Sequence, residues 1–305
     1  MKKTNFSLYG LPSKIKFCKK CVNSNQRPRT EFDSEGVCSA CRYAEKKFGG
    51  GIDWEKREKE LIKLLDKHRS KDGSWDVVVP SSHGKDSALV AHQLKEKYGM
   101  HPLTVTWAPF IYTDIGFKNY LNMTHSGFDG LVAWPNGIIH RKLARVGFEL
   151  KGDPFEAFVY GQKAYPFKIA QKFKIPLIFY GENGEVEYGG NPENINTPFF
   201  DQNYMKKIYL ENKYKKVFSK TKLNGDDYFF KFPEKIKSKK LDITHWSYFE
   251  NWDPYKNYLI AKKHCNLQES ISNNFGTFTN FAQNDQSLVA LHTYMMFLKF
   301  GFGRA

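Results

Sequence analysis

The sequence VVVPSSHGKDSALVAHQLKEKYG occupies residues 77–99 and joins a short apolar segment to a helical one through a polar turn. The apolar segment is typical of a buried β-strand that ends near Pro80, and the spacing of apolar residues from Ser87 onward predicts a helix. The turn therefore covers a helix N-terminus, where free backbone N–H groups and the helix dipole favour a phosphate group. Gly84 allows the backbone to approach such a group closely, and Lys85 supplies a cation.

This turn differs from the common phosphate-binding loop G-x4-G-K-[ST], because Val79 stands at the first glycine position and Asp86 follows Lys85. A carboxylate beside a phosphate group is repelled unless a metal ion or backbone N–H groups hold it. Asp86 therefore predicts Mg²⁺ bound together with a polyphosphate, and the hydroxyl groups of Ser82 and Ser87 add donors. The alternative is that Asp86 only caps its helix.

The sequence on either side of this turn alternates between strand and helix patterns. Short apolar strands joined by helices of about ten or more residues pair in parallel through right-handed crossovers, so we predict an α/β fold with a doubly wound parallel sheet. Ligands of such sheets bind beyond the carboxyl ends of the strands. The predicted strands are 75–80, 102–107, 128–134, 175–182 and 242–246, and the predicted helices are 54–69, 87–98, 114–126 with Asp114 as its cap, 138–148, 163–173, 254–265 and 285–300.

Four of the five cysteines form two C-x2-C pairs that are separated by sixteen residues. This spacing is typical of a structural zinc site, and the alternatives are a redox pair or an iron–sulfur cluster. Zinc would stabilise a knuckle too small to fold alone, by roughly 10–16 kcal/mol. We therefore predict a zinc ribbon over residues 1–50 and a second domain over 51–305, with Cys265 as a packed thiol. The predicted zinc ligands are Cys18, Cys21, Cys38 and Cys41.

The basic excess of the chain lies in two segments. The 305 residues carry a net charge of +15, of which residues 1–50 contribute +7 and residues 206–240 contribute +8. A lysine-rich segment such as 206–240 is usually a solvated surface insertion, and the alternative is attraction of a polyanion such as RNA or a nucleotide. No run reaches the roughly eighteen apolar residues that span a bilayer, and the first residues lack a signal-peptide pattern, so we expect a cytoplasmic protein without a membrane partner.

The turn SSHGKDS resembles the S-G-G-x-D-S pyrophosphate loop of the ATP pyrophosphatases, or PP-loop enzymes, which bind ATP and transfer AMP to a substrate oxygen. His83 stands where the motif has glycine, so we expect its backbone at positive φ, at a cost of roughly 1–2 kcal/mol. The resemblance implies a nucleotide site that includes residues at the end of the second strand. The implied ATP-binding residues are Ser82, His83, Gly84, Lys85, Asp86, Ser87, Thr106 and Trp107.

A wider resemblance rests on FCKKCVNSNQRPRTEFDSEGVCSAC, HPLTVTWAPF, GDPFEAFVYGQ, YGENGEVEYGG and GTFTNFAQNDQSLVALHTYMMFLKFGFGRA. Together with the turn, these segments are similar to the N-acetyl sugar amidotransferase family of bacterial surface-polysaccharide and lipopolysaccharide O-antigen synthesis. Enzymes of that family convert an acetamido group of a nucleotide-activated sugar to an acetamidino group, with ammonia from a separate glutaminase subunit. They usually continue well past GFGRA, so we expect that a C-terminal portion is missing.

This resemblance implies ATP, Mg²⁺ and structural zinc as cofactors, a glutaminase as partner, and a UDP-linked diacetamido uronic acid as the substrate. One alternative is a tRNA-modifying PP-loop enzyme that adenylates a base carbonyl. Another is a zinc-ribbon nucleic-acid binder without catalytic activity, although we do not expect a nucleic acid as the partner. Glu182 and Asn183 could also form a simple loop cap. The implied catalytic residues are Lys85, Asp86 and Glu182, and the implied substrate-binding residues are Asn183, Tyr188, Gly189, Gly190 and Arg304.

Overall fold

The computed structural model describes residues 12–190, 195–210, 214–221, 223, 225, 227–233 and 241–301. Within these residues, five strands form one sheet: β1 (Val77–Pro80), β2 (Pro102–Trp107), β3 (Asp129–Ala133), β4 (Leu177–Tyr180) and β5 (Asp242–His245). All neighbouring strands pair in parallel, in the order β3-β2-β1-β4-β5. The α/β class and the parallel sheet predicted from the sequence are confirmed.

The α-helices of the described residues are α1 (Ser39–Phe48), α2 (Trp54–His68), α3 (Lys85–His92), α4 (Asp114–Thr124), α5 (Gly137–Lys151), α6 (Glu156–Phe173), α7 (Gly184–Glu187), α8 (Gln202–Tyr204), α9 (Tyr214–Thr221), α10 (Trp246–Phe249), α11 (Pro254–Cys265) and α12 (Leu288–Phe300). A π-helical turn follows α3 at Gln93–Lys97, and another follows α8 at Met205–Tyr209. None of the helices in this part of the chain is long and apolar enough to cross a membrane.

Several local boundaries differ from the sequence-based expectation. Thr113, rather than Asp114, caps α4, because its side chain accepts a hydrogen bond from the N–H of Gly116. α6 begins at Glu156, about two turns earlier than predicted. The sequence did not indicate this start, because the apolar residues of the first turns are buried on several sides and show no one-sided helical pattern. Trp246 begins α10 instead of ending β5.

Helices cover both faces of the sheet. Successive residues of a strand point to opposite faces, so each strand contributes side chains to two cores. Val78 of β1 packs with Leu103 of β2 in a core that α5 and α6 complete. Val77 and Val79 point the other way, into a second core that includes residues of α2, α3 and α11. The sheet is therefore buried on both faces, which explains why its strands are almost continuously apolar.

The composition of the lysine-rich segment predicted a solvated surface insertion, but part of the segment is buried. Val217 and Phe218 of α9, together with Phe230 and Phe232, are buried in the same core as α5 and α6. The segment thus contributes apolar side chains to the interior, while lysines such as Lys216 stay exposed. The composition was misleading because the few aromatic residues that pack inward are widely spaced among many lysines.

Candidate functional site

A cavity of about 380 Å³ lies at the carboxyl edge of the sheet, beside the ends of β1 and β4. The strand order reverses here, because β2 lies on one side of β1 and β4 on the other, and parallel α/β sheets bind ligands at such a point. The walls come from the turn after β1, the end of β2, α6, the end of β4, and α12 with the residues before it. The polar and charged lining residues are Ser81, Ser82, Asp86, Ser87, Gln162, Lys163, Glu182, Gln283, Asp285, Gln286, His292 and Thr293.

The SSHGKDS turn is held by hydrogen bonds among its own residues. Ser81 Oγ donates to Ser87 Oγ over 3.0 Å and accepts from the N–H of His83 over 3.0 Å. Ser87 Oγ in turn donates to the carbonyl of Gly84 over 3.1 Å. Ser82 is left partly exposed at the cavity. Ser81 was not among the predicted site residues, although it organises the turn, because a single serine carries no spacing signal.

His83 adopts positive φ (63°), as its place in the motif predicts. Its ring is buried, lies 4.8 Å from the ring of Tyr120, and has Nε2 3.1 Å from Thr106 Oγ1. Burial lowers the pKa of His83 to about 4, so the ring is neutral at neutral pH. The structure therefore places the Thr106 side chain against His83, whereas Trp107 lines the cavity.

Replacing His83 by glycine and by alanine tests the backbone strain in this turn. Both variants lose the ring and its contacts, but only alanine keeps a Cβ at positive φ. We expect H83G to have an unfolding free energy about 1 kcal/mol higher than H83A, measured by urea denaturation. G84A is the matched control, because Gly84 has a φ of −89° and its replacement introduces no left-handed strain. Equal stabilities of the two His83 variants would contradict a strained backbone.

Three buried histidines predict acid sensitivity of the fold. Burial lowers the pKa of His83 and of His140 to about 4 and that of His245 to about 3, all below the unfolded value near 6.5. Below pH 6.5 these rings take up protons in the unfolded chain but stay neutral in the folded chain. The unfolding free energy is therefore fully retained above pH 6.5 and decreases as the pH falls from 6.5 toward 4. The expected loss approaches about 1.4 kcal/mol per pH unit for each histidine.

Urea denaturation between pH 7 and pH 5 measures this loss. We expect H140L to reduce the slope of unfolding free energy against pH by about a third, because one of three buried rings no longer takes up a proton. H101Q is the control, since His101 is exposed, and it should keep the slope of the original chain. An unchanged slope in H140L would rule out His140 as a source of the acid sensitivity.

Two carboxylates and one lysine form the charged part of the turn and of the strand end beside it. Lys85 Nζ lies 2.5 Å from Asp86 Oδ2, and Asn257 of α11 donates to Asp86 Oδ1 over 3.1 Å. Burial raises the pKa of Glu182, which follows β4, and the charge of Asp86 raises it further while Lys85 lowers it. The three predicted catalytic residues are therefore close enough to interact electrostatically, and Asp86 and Glu182 line the cavity while Lys85 is not among the described lining residues.

The α6 and α12 walls contain residues that the sequence did not predict. Lys163 of α6 lines the cavity, and its Nζ lies 4.9 Å from the ring centre of Tyr180. His292 of α12 lines it as well, with Nδ1 3.0 Å from Asp153 Oδ1. Gly161 makes room for Trp107, because a Cβ at this glycine would lie 1.9 Å from the Trp107 ring. Gly161 lies within GDPFEAFVYGQ and His292 within the C-terminal segment of the resemblance, whereas Lys163 directly follows GDPFEAFVYGQ and lies in neither segment.

The residues after Glu182 contribute mainly to a different surface. Asn183 caps α7, since its side chain accepts from the N–H of Glu185. The carbonyl groups of Tyr188 and Gly189 accept hydrogen bonds from the cysteine-containing segment, and Gly190 has no space for a Cβ beside the Glu185 carboxylate. None of these four predicted substrate-binding residues is among the described residues that line the cavity. Arg304, the fifth, lies outside the described residues.

The four N-terminal cysteines converge as their spacing predicts. Their sulfur atoms all lie within 4.8 Å of one another, and none forms a disulfide. Backbone N–H groups of Lys20 and Cys38 each lie 3.3 Å from Cys18 Sγ, an arrangement that stabilises thiolates. Four cysteine sulfurs brought together in this way could hold a metal ion such as zinc, with Cys18, Cys21, Cys38 and Cys41 as ligands.

The cysteine knuckle, residues 12–48, packs against residues 184–190. Arg29 forms two hydrogen bonds with the Glu185 carboxylate, of 2.7 and 2.9 Å. Lys47 of α1 pairs with Glu187 over 2.7 Å, and both side chains are buried. Gly189 lies so close to α1 that a Cβ there would be 3.1 Å from Ala40 Cβ. The knuckle is thus attached to the short segment that begins directly after Glu182, rather than projecting from the fold.

Comparisons with known proteins add little to this geometry. No family model matches the chain. A stretch of 108 residues, 35% of the chain, is 27% identical to an uncharacterized protein of Methanocaldococcus jannaschii. The chain spans 38% of the length of that curated relative. Because the relative has no stated activity, the function of this chain is argued from its own residues.

Proposed function

We propose that the chain is a PP-loop type, ATP-dependent amidotransferase that converts an acetamido group of a nucleotide-activated sugar to an acetamidino group. The observation that carries this proposal is the position of the SSHGKDS turn at the point where the strand order reverses. Asp86 of that turn and Glu182 line a cavity whose volume is in the usual range for small-molecule sites, about 300–1,000 Å³. The N-terminus of α3 directs backbone N–H groups toward an anion at this place.

The first step needs alignment and charge neutralisation more than it needs covalent chemistry by the protein. The amide oxygen of the substrate attacks the α-phosphorus of ATP, and pyrophosphate leaves, which gives an O-adenylated imidate. The turn N–H groups and Lys85 hold the phosphate oxygens of the leaving pyrophosphate. Asp86 is the residue that would hold Mg²⁺, which supplies charge neutralisation when it is bound.

In the second step ammonia attacks the imidate carbon, the bond to the oxygen breaks, and AMP leaves with that oxygen. The attacking nitrogen must then lose a proton. Glu182 fits this role, since its carboxylate lines the cavity and burial raises its pKa, which strengthens it as a base. Four sulfurs outside the cavity suit a structural zinc ion that takes no part in either step. In this proposal a separate glutaminase subunit supplies the ammonia.

Mass spectrometry tests the proposed reaction directly. The chain is incubated with UDP-2,3-diacetamido-mannuronic acid, ATP, Mg²⁺ and an ammonium salt, which replaces the glutaminase, and AMP is measured in the same samples. We expect a sugar product in which NH has replaced one oxygen, in amounts that match AMP. AMP formation that requires tRNA and not the sugar would contradict the proposal and support the tRNA-modifying alternative. Binding of RNA without AMP formation would support a noncatalytic role.

A further inference from the structure

Lys163 has an unusual environment for a lysine side chain. It extends from α6 into the cavity, and its Nζ lies over two tyrosine rings, 4.9 Å from the centre of Tyr180 and 4.4 Å from that of Tyr209. Burial lowers its pKa to about 8, although the charge of Glu182 acts in the opposite direction. A partly desolvated cation of this kind interacts strongly with any anion that enters the cavity.

Lys163 is also available for a ligand. Within the described part of the chain, no carboxylate oxygen lies within 4.0 Å of its Nζ, whereas Lys85 is already paired with Asp86. Among the described residues, no other charged or titratable group around Lys163 forms an ion pair with it. Burial, together with the charge of Lys163, keeps the buried ring of His245 neutral, and His292 is paired with Asp153. The other titratable residues that line the cavity are Glu182, Asp86, Asp285 and Tyr180, whereas Tyr209 contacts Lys163 without being among the described lining residues.

Three buried polar atoms of residues that line the same cavity supply a second, independent indication of a ligand. Trp107 Nε1, Tyr180 Oη and Thr293 Oγ1 belong to cavity-lining residues, are buried, and have no hydrogen-bond partner among the described residues. Burial also raises the pKa of Tyr180, so its hydroxyl keeps its proton. All three groups can donate hydrogen bonds, and a buried donor without a partner costs free energy unless a ligand pairs with it. A cavity wall that carries the Lys163 cation and these three donors suits a ligand with anionic oxygen atoms.

We propose that Lys163 binds a phosphate group of the ligand from the α6 side of the cavity, in addition to the site formed by the SSHGKDS turn. This assignment rests on the proposed function for the identity of the ligand. Two bound molecules could supply the phosphate, namely ATP and the diphosphate of the nucleotide sugar. Phosphate is the shared chemistry, and binding measurements with each nucleotide distinguish the two sources.

Isothermal titration with Mg·ATP and, separately, with UDP tests this assignment in the whole chain. We expect K163M to weaken the binding of one of the two nucleotides by about 10- to 100-fold, as for a charge-assisted hydrogen bond, and K163R to retain most of the affinity. K168M is the matched control. Lys168 lies on the same helix with a pKa that burial also lowers to about 8, but its Nζ donates to backbone carbonyls of Tyr228 and Phe229 outside the cavity.

The pH dependence of binding separates charge from packing. With Lys163 present, affinity for the nucleotide should be constant from pH 7 to about pH 8 and fall above it, as the ammonium loses its proton. K163R should bind equally well up to pH 9, because arginine keeps its charge. If K163R shows the same fall as the original chain, Lys163 is not the titrating group and the assignment is wrong.

Lysine acetylation with peptide mass spectrometry gives a readout that needs no variant. Lys163 should be acetylated in the free chain and protected by the nucleotide that it binds, while the labelling of Lys168 stays the same. If the original chain binds a nucleotide but neither K163M nor labelling shows an effect, the assignment of Lys163 is overturned and the proposed function is not. If the original chain binds neither nucleotide, both are overturned.

Discussion

Replacement of Asp86 by asparagine should lower the rate of AMP formation by about 100- to 1,000-fold, the usual effect of removing one preorganised charge at a reacting centre. Asp86 lines the cavity and joins the SSHGKDS turn to α11. Its Oδ2 pairs with Lys85, and its Oδ1 accepts from Asn257. Asparagine has nearly the same shape but cannot neutralise a cation, so D86N should reduce Mg·ATP turnover without unfolding the chain.

E96Q is the control for this experiment, because Glu96 lies on the helical segment that continues α3 but is exposed at its far end. It should form AMP at the original rate. AMP is measured by chromatography in the presence of sugar, ammonium and Mg²⁺, and circular dichroism confirms that both variants are folded. A D86N rate within about 3-fold of the original would be too small a change for the proposed role, since loss of a carboxylate that holds Mg²⁺ at the reacting phosphates costs more than that.

Removal of the metal ion should release the cysteine knuckle and also reduce activity. We expect C38S to lose most of about one bound zinc per chain, because Cys38 is fully buried and supplies one of four ligands. Zinc contributes roughly 10–16 kcal/mol to the folding of such small units. Without it, the bonds from Arg29 to Glu185 and from Lys47 to Glu187 lose their support.

Residues 12–48 should then be cleaved rapidly by a protease. AMP formation should be at least about 10-fold slower, because the segment that begins directly after Glu182 loses its contacts with the knuckle. R29M separates docking from metal binding, because Arg29 is not a zinc ligand. It should keep its zinc and still lose part of the activity. C265A is the control for zinc content, as Cys265 is buried away from the cluster. Full activity of zinc-free C38S would contradict the link between the knuckle and the cavity.

Local pattern was sufficient for much of the fold. The strand β2 and the helix α11 have the bounds that periodicity and capping signals predict, because their apolar spacing and end residues act within one element. Positive φ at His83 followed from its position in a seven-residue motif. The convergence of the cysteines was likewise predictable, since two C-x2-C turns leave few ways to arrange their sulfurs.

Other parts of the site could not be predicted from local pattern. Asn257 contacts Asp86 across 171 positions of sequence, and Arg29 contacts Glu185 across 156. Lys163 has no neighbouring motif that marks it as a ligand-binding residue, and its exposure to the cavity depends on how α6 packs on the sheet. For Tyr188 and Gly189, the sequence showed a loop rich in glycine, but only packing shows that the loop contacts the knuckle.

The sequence by itself determined the α/β class, the parallel sheet, the turn at the end of β1 and the cysteine cluster, because each depends on side-chain periodicity or on spacing within a short segment. The tertiary structure alone decided which walls close the cavity, that Lys163 and α12 belong to them, and that the knuckle rests on the segment after Glu182. These contacts join residues that are far apart in the chain, and their formation depends on the packing of whole helices against both faces of the sheet.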